Sequence, residues 1–306
     1  ATLGIAALDL AKKMENLMVL TCDVSTSAGL DRYRKTFPDK YLDLGIAEQN
    51  MMGVAAGLAS ENFNVITTTF APFQTMRCCE QIKVNLGYMG QKVCMVGIAS
   101  GLVLGTLGFT HCCIEDVGIL RSIPGIIIIS PADSLETVKA LEAAVKLEKP
   151  SYIRLTGSSN NPIVYSKDYK FEIGKSITLK DGKDITIFCA GVMVKQCLEA
   201  AKILEEKKLY AKVVNMHTIK PIDKKAVEDS CNSKLIVSVE EHNIVGGLGS
   251  AIAEYKARLS KTPKQLFLGV KDIYSRGGTY KFLQEKYRLT SEKIVEDIIL
   301  ELRKSK

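Results

Sequence analysis

The sequence predicts an α/β protein of two domains. Its 306 residues exceed one ordinary domain and suit two. Short strands that are apolar throughout alternate with helix-like segments, the pattern of a parallel sheet covered on both faces. This rhythm breaks once, from Gly157 to Lys183, where Ser158-Ser159-Asn160-Asn161-Pro162 leads into charged and aromatic residues without long periodicity. The break divides the chain into a first domain (1–160), a connection (161–182) and a second domain (183–306).

The elements follow in order. Val19 to Cys22 and Tyr41 to Leu44 read as short buried strands, and Ala47 to Ser60, rich in Ala and Met, as a packed helix. Val65 to Thr69 is β-branched and strand-like. Phe73 to Leu86 has helical spacing, Val93 to Ile98 is a strand, and Ile114 to Arg121 a short helix. Ile126 to Ile129 is a buried strand stopped by Pro131. Ser134 to Leu147 is a helix with Ser134 as its expected N-cap, and Ser151 to Leu155 closes the series. In the second domain the strands are Ile185 to Cys189, Ala211 to Met216 and Leu235 to Val239. The helices there are Val192 to Lys207, Gly249 to Leu259 and Ser291 to Arg303.

Composition narrows the function. Hydrophobic residues make up 46% and charged residues 25%, which rules out a disordered or fibrous chain. The net charge of +7 is scattered, the Lys-rich tail Arg303 to Lys306 is short, and a nucleic-acid footprint is not expected. Nine cysteines, an odd number with no CxxC spacing, argue against a disulfide framework and against a zinc site. Reduced thiols in a cytoplasmic protein are expected. No signal peptide is read at Ala1-Thr2-Leu3-Gly4. Val93 to Ile114 lacks Asp, Glu, Lys and Arg, but its glycines make it a strand and a glycine-rich loop, not a membrane span.

Four places could carry chemistry. Glu48 opens a helix among apolar and small residues, where attraction to the positive helix end explains a carboxylate. The alternative is a carboxyl in a dry pocket that donates a proton or pairs with a ring nitrogen. Phe70 and Phe73 follow a strand directly, the place where open parallel sheets bind ligands, although core packing explains them too. His111 is the first domain's only histidine, beyond the glycine-rich loop, and is either structural or substrate-facing. Gly246-Gly247-Leu248-Gly249 opens a helix, but without a full GxGxxG it reads as tight strand-to-helix packing.

Together these pieces resemble the carboxyl-terminal half of transketolase, of the type split over two chains. The resemblance covers essentially the whole chain. It is carried by Phe37-Pro38-Asp39 to Gly45-Ile46-Ala47-Glu48-Gln49-Asn50-Met51, by Thr69-Phe70 through Phe73, by Thr110-His111 with Ile114-Glu115-Asp116, and by Leu120 to Pro124 leading to Pro131-Ala132-Asp133. Ile219 to Asp223 and Glu240-Glu241-His242-Asn243 to Ala251 continue it.

The resemblance implies a pyrimidine-binding domain, a transketolase carboxyl-terminal domain without a direct chemical role, and dependence on thiamine diphosphate. Glu48 then matches the glutamate that hydrogen-bonds the aminopyrimidine ring and favours the imino form that removes the thiazolium proton. Phe70 and Phe73 match aromatics packed on the pyrimidine, with Met76 where many members have another aromatic. Asp23 matches an aspartate beside the cofactor, and Ser27 and His111 match substrate-facing positions. The GDG motif with its downstream asparagine is missing, so the resemblance implies a partner subunit that holds the diphosphate and its Mg2+ or Ca2+, in an α2β2 heterotetramer. The family's phosphate-binding arginines are absent: Leu3 stands at one and the other falls near Gly157. A histidine and an aspartate of sugar-binding members fall near Ala99 and Leu107. An unphosphorylated or otherwise unusual substrate is therefore expected. The alternatives are a 2-oxo acid decarboxylating subunit, like the beta subunit of a 2-oxo acid dehydrogenase or a deoxyxylulose-phosphate synthase, and a non-catalytic regulatory subunit.

Overall fold

The computed structural model describes residues 2–157 and 162–304. The expected domain boundary at 160/161, Ser158 to Asn161, Ala1, and the last two residues of the basic tail lie outside them. The first sheet holds β1 (Leu17–Thr21), β2 (Tyr41–Asp43), β3 (Asn64–Phe70), β4 (Val93–Ile98), β5 (Ile127–Ile129) and β6 (Ser151–Arg154). The second holds β7 (Ile177–Lys180), β8 (Ile185–Cys189), β9 (Ala211–Asn215), β11 (Leu235–Asn243) and β12 (Gln265–Val270), while β10 (Thr218–Lys220) crosses back. The orders are β10-β5-β6-β4-β3-β1-β2 and β12-β11-β8-β9-β7. All pairings are parallel except β10 with β5 and β7 with β9. Parallel strands between helix layers are buried on both faces, as β1, β4 and β8 are along their whole length.

The connection and one helix cap depart from the sequence reading. The connection contains β7, which pairs with β9, so the second sheet begins inside it. The N-cap of the helix Ser134–Ala144 is Asp133, not Ser134: its carboxylate accepts from the Glu136 amide at 2.9 Å. Both residue types cap well, and Asp133 holds the extended backbone the position requires.

The two domains are welded. Besides lending β10 to the first sheet, the second domain shares its apolar core with it, from Ile128 and Tyr152 to Phe188 and Ile236. At the junction Arg154 Nε donates to Asp116 at 3.1 and 2.9 Å, and Arg154 Nη2 donates to the carbonyls of Cys113 and Glu241, both at 3.0 Å. Tyr152 adds its hydroxyl to Asp116 at 2.7 Å, so this buried charge pair is hydrogen-bonded throughout. Glu241 accepts from the Leu102 amide at 2.9 Å and from the Tyr280 hydroxyl at 2.6 Å, which props the loop after β4. Gly101 turns that loop at φ 73°, and a Cβ there would lie 2.1 Å from Glu241 Oε1. The motif Gly246 to Gly249 serves packing as expected: Glu240 itself fills the helix N-terminus, accepting from Leu248 and Gly249 amides at 2.7 and 2.8 Å.

Candidate active site

In the order β2-β1-β3-β4 the winding changes direction between β1 and β3. The crevice beyond the carboxyl ends of strands at such a point is where open α/β sheets take ligands. Asp23 follows β1, Glu48 follows β2, and Phe70 and Phe73 end and follow β3, so the sequence candidates converge there.

Asp43 organises the β1 and β2 ends. Its Oδ1 accepts from the amides of Asp23 at 2.9 Å and Gly45 at 3.0 Å. Burial pushes the Asp43 carboxyl up, but these amides and nearby hydroxyls outweigh it and leave it lowered. Asp23 is thereby held at φ 54° and is exposed.

Glu48 is the first residue of the helix Glu48–Ser60 and is only 3% exposed. Arg77 Nη1 donates to its Oε1 at 2.8 Å, and among the described residues Oε2 accepts no hydrogen bond. The floor is neutral: Met51 and Met52 are buried, and burial pushes the Cys22 and Cys78 thiols up to about 11 and about 12. Arg77 also lies over the Phe73 ring, 3.9 Å from its centre.

Arg77 reaches this place because the helix expected over Phe73 to Leu86 is broken. Ala71–Gln74 forms one turn, and Thr75 caps it by donating its hydroxyl to the Ala71 carbonyl at 2.7 Å. The chain turns at Thr75 to Cys78, resumes at Cys79–Gln81 and widens into a π-helix over Ile82–Tyr88. Gln49 Nε2 ties the turn to the Glu48 helix through the Arg77 carbonyl at 3.0 Å. Met76 sits in the same turn, 38% exposed.

His111 joins the aromatic pair. Its ring stands edge-on to Phe73 and Phe70, at 5.4 and 6.5 Å between centres, and the two phenylalanines are 6.4 Å apart. Its Nδ1 lies 3.0 Å from the Thr110 hydroxyl. Glu48, Phe70, Phe73 and His111 thus form one cluster, linked through Arg77, with Asp23 and Met76 at the strand and turn ends beside it. The sequence reading missed Arg77, although it is the only charged residue between Glu61 and Glu80.

Phe70 also lines a cavity of about 660 Å³ at the carboxyl ends of the first sheet. Ser27 is part of its wall, as are Leu3, Ala99 and Gly157, three of the positions singled out for their departures. Gly4 lets the first helix (Thr2–Lys13) settle on the loop after β1, since a Cβ there would lie 1.9 Å from the Gly29 carbonyl oxygen. Leu107, the fourth such position, is 57% exposed and does not line the cavity. Among the described residues no group of three His, Cys, Asp or Glu is arranged to hold a metal, and no helix is long and apolar enough to cross a membrane. All nine cysteines are free.

Comparison with known proteins places the chain in a family. The family model "Transketolase, pyrimidine binding domain" matches residues 2–161, and "Transketolase, C-terminal domain" matches residues 174–294. A "Putative transketolase C-terminal section" from Methanocaldococcus jannaschii is 36% identical over 303 residues, covering 98% of this chain and 95% of that protein. The "6-deoxy-6-sulfo-D-fructose transketolase subunit SqwH" of Clostridium sp. (strain MSTE9) is 35% identical, covering 94% of this chain and 89% of that one. A solved structure described as "Split gene transketolase, inactive beta4 tetramer" superposes with a TM-score of 0.86 at 35% identity, covering 96% of this chain and 94% of its own. The chain belongs to the transketolase family and corresponds to its carboxyl-terminal section.

Proposed function

We propose that this chain is one half of a transketolase that moves a two-carbon ketol unit from a ketose-like donor to an aldehyde-like acceptor. It works with thiamine diphosphate and with an amino-terminal partner subunit that supplies the diphosphate and metal motif, with Mg2+ or Ca2+, in an α2β2 assembly in the cytoplasm. The observation that carries this reading is the buried Glu48 carboxylate, joined through Arg77 to an aromatic cluster at the switch point of the first sheet. The relatives described as a transketolase section and as a transketolase subunit are of similar length, which supports a two-chain enzyme.

The residues present fit an aminopyrimidine. Glu48 keeps Oε2 unbonded among the described residues, and Phe70 and Phe73 offer flat apolar walls. When bound, thiamine diphosphate supplies the nucleophilic carbon and the electron sink for breaking a carbon–carbon bond beside a carbonyl. Glu48 supplies the carboxylate that shares a proton with a ring nitrogen. Its burial keeps water from that carboxylate, which strengthens the interaction. Thr110 occupies His111 Nδ1 and leaves Nε2 for a substrate oxygen.

The test is reconstitution with the partner and titration of thiamine diphosphate. Glu48→Gln should keep assembly and lose turnover by roughly 10²–10⁴-fold. Turnover near wild type in Glu48→Gln and Glu48→Ala would overturn the reading and favour a regulatory subunit.

A further inference from the structure

His111 stands on a loop that the second domain holds. Residues 102–112 are closed at their base by Gly101 and Cys113, which exchange amide-to-carbonyl bonds of 2.8 and 2.9 Å. Within the loop Gly105 and Gly108, the latter at φ 77°, give the backbone a wide choice of conformation. The His111 ring leans edge-on against Phe70 and Phe73, and its amide donates to the Gly108 carbonyl at 3.0 Å. Where the imidazole points therefore depends on where Gly108 sits.

That place is fixed from residues 271–279, which run between β12 and the helix Tyr280–Lys286. The Gly278 amide donates to the Gly105 carbonyl at 2.9 Å. Gly277 packs so closely that a Cβ on it would lie 2.6 Å from the Gly105 oxygen and 3.3 Å from Gly108 Cα. Tyr274 lays its ring against Phe109, 5.3 Å between centres, and donates its hydroxyl to Glu115 Oε1 at 2.7 Å. Glu115 Oε2 in turn accepts from the Ile114 amide at 2.9 Å. The hydrogen bond to Glu115 and the charge of that carboxylate push the Tyr274 phenol up to about 12, so its proton stays in place at neutral pH. Tyr274 thus grips the loop two residues before His111 and four residues after it. The side chain is 69% exposed, so burial gives it little stabilising value of its own.

We propose that residues 271–279 of the second domain position His111 for the reaction, with Tyr274 and the pair Gly277-Gly278 as the contact points. They act through the loop backbone and are positioning residues. This rests on the transketolase reading above and gives the second domain a part in it.

The experiment uses the reconstituted two-chain complex loaded with thiamine diphosphate. The donors are D-xylulose, D-fructose and their terminal phosphate esters, the acceptor is D-glyceraldehyde, and kcat/KM is followed on the donor used best. Tyr274→Ala should lower kcat/KM roughly tenfold, the scale of a misplaced site group. Tyr274→Phe keeps the contact with Phe109 and should lose only about threefold. Gly277→Ala, whose methyl presses on the Gly105 oxygen, should lose about tenfold or more from the backbone side. Coenzyme affinity should stay at the wild-type value, and the melting temperature of Tyr274→Ala within about 2 °C of it. The deciding readout is a double-mutant cycle: in a His111→Asn background, Tyr274→Ala should cost less than about twofold, because the group it positions is already gone. Wild-type kcat/KM in both Tyr274→Ala and Gly277→Ala, or their full losses repeated in the His111→Asn background, overturns this inference alone. Coenzyme binding by the wild-type complex without transfer from any donor overturns the transketolase reading and this inference with it.

Discussion

Arg77 holds Glu48: its Nη1 donates to Glu48 Oε1 at 2.8 Å while the guanidinium carbon lies 3.9 Å from the centre of the Phe73 ring. One side chain therefore links the buried carboxylate to the aromatic wall. Arg77 does not need to touch substrate for this, which makes it a positioning residue. Arg77→Ala should leave Glu48 without its charge partner and lower kcat by about tenfold or more, with assembly with the partner kept. Arg77→Lys should recover part of the activity through charge, but not the flat contact with Phe73. Steady-state kinetics on both variants decide it; wild-type kcat in Arg77→Ala sinks the role.

His111 presents Nε2 from a ring lodged against Phe73, at 5.4 Å between centres. His111→Asn should lower kcat/KM on the preferred donor by about 10–100-fold, the scale of one lost polar contact in a desolvated site. Coenzyme affinity should change little, because Glu48 and Phe70 remain. A comparable loss of coenzyme binding in a direct titration would place His111 in the coenzyme contact instead.

The junction pair makes a stability prediction. Asp116 is fully buried and Arg154 is 5% exposed. Arg154→Met would leave Asp116 buried and unpaired, at a cost of about 3–5 kcal/mol. Denaturant titration of the variant should show it, with a smaller loss in the double variant Arg154→Met/Asp116→Leu. Equal losses would mean that the charge pair is not the source.

His217 predicts a pH dependence. It is fully buried, stacks on Phe171 at 4.3 Å, and burial pulls its imidazole down to about 4 against the weaker opposing pull of Asp223. Above pH ~6.5 it is neutral both folded and unfolded. As the pH falls, the unfolded chain takes up a proton that the folded one refuses, so stability declines until about pH 4. By pH 4.5 this amounts to about 2–3 kcal/mol. His217→Gln should flatten that part of the stability profile; an unchanged slope between pH 6.5 and 4.5 would assign the acid sensitivity elsewhere.

The strands and the site's aromatic cluster were legible because they obey local rules. Runs such as Ile126 to Ile129 leave little choice but a buried strand, and the ends of such strands point to Phe70, Phe73 and Glu48. Arg77 was not legible, since one arginine in a helix-like stretch reads as solvated surface until a turn at Thr75 re-aims it. The π-helical turn breaks a 3.6-residue period that the sequence alone suggests continues. β10 is three residues long, and nothing in Thr218-Ile219-Lys220 says that its partner is Ile128 to Ile129, some ninety residues away. Asp133 and Ser134 are both good caps, and only backbone conformation chooses between them.

The crossing of β10 into the first sheet has a practical consequence for anyone dissecting the chain. A fragment ending before residue 161 would lose the strand that covers β5 and bare an unpaired border of amides and carbonyls, an invitation to self-association. The two halves should therefore melt in a single calorimetric step.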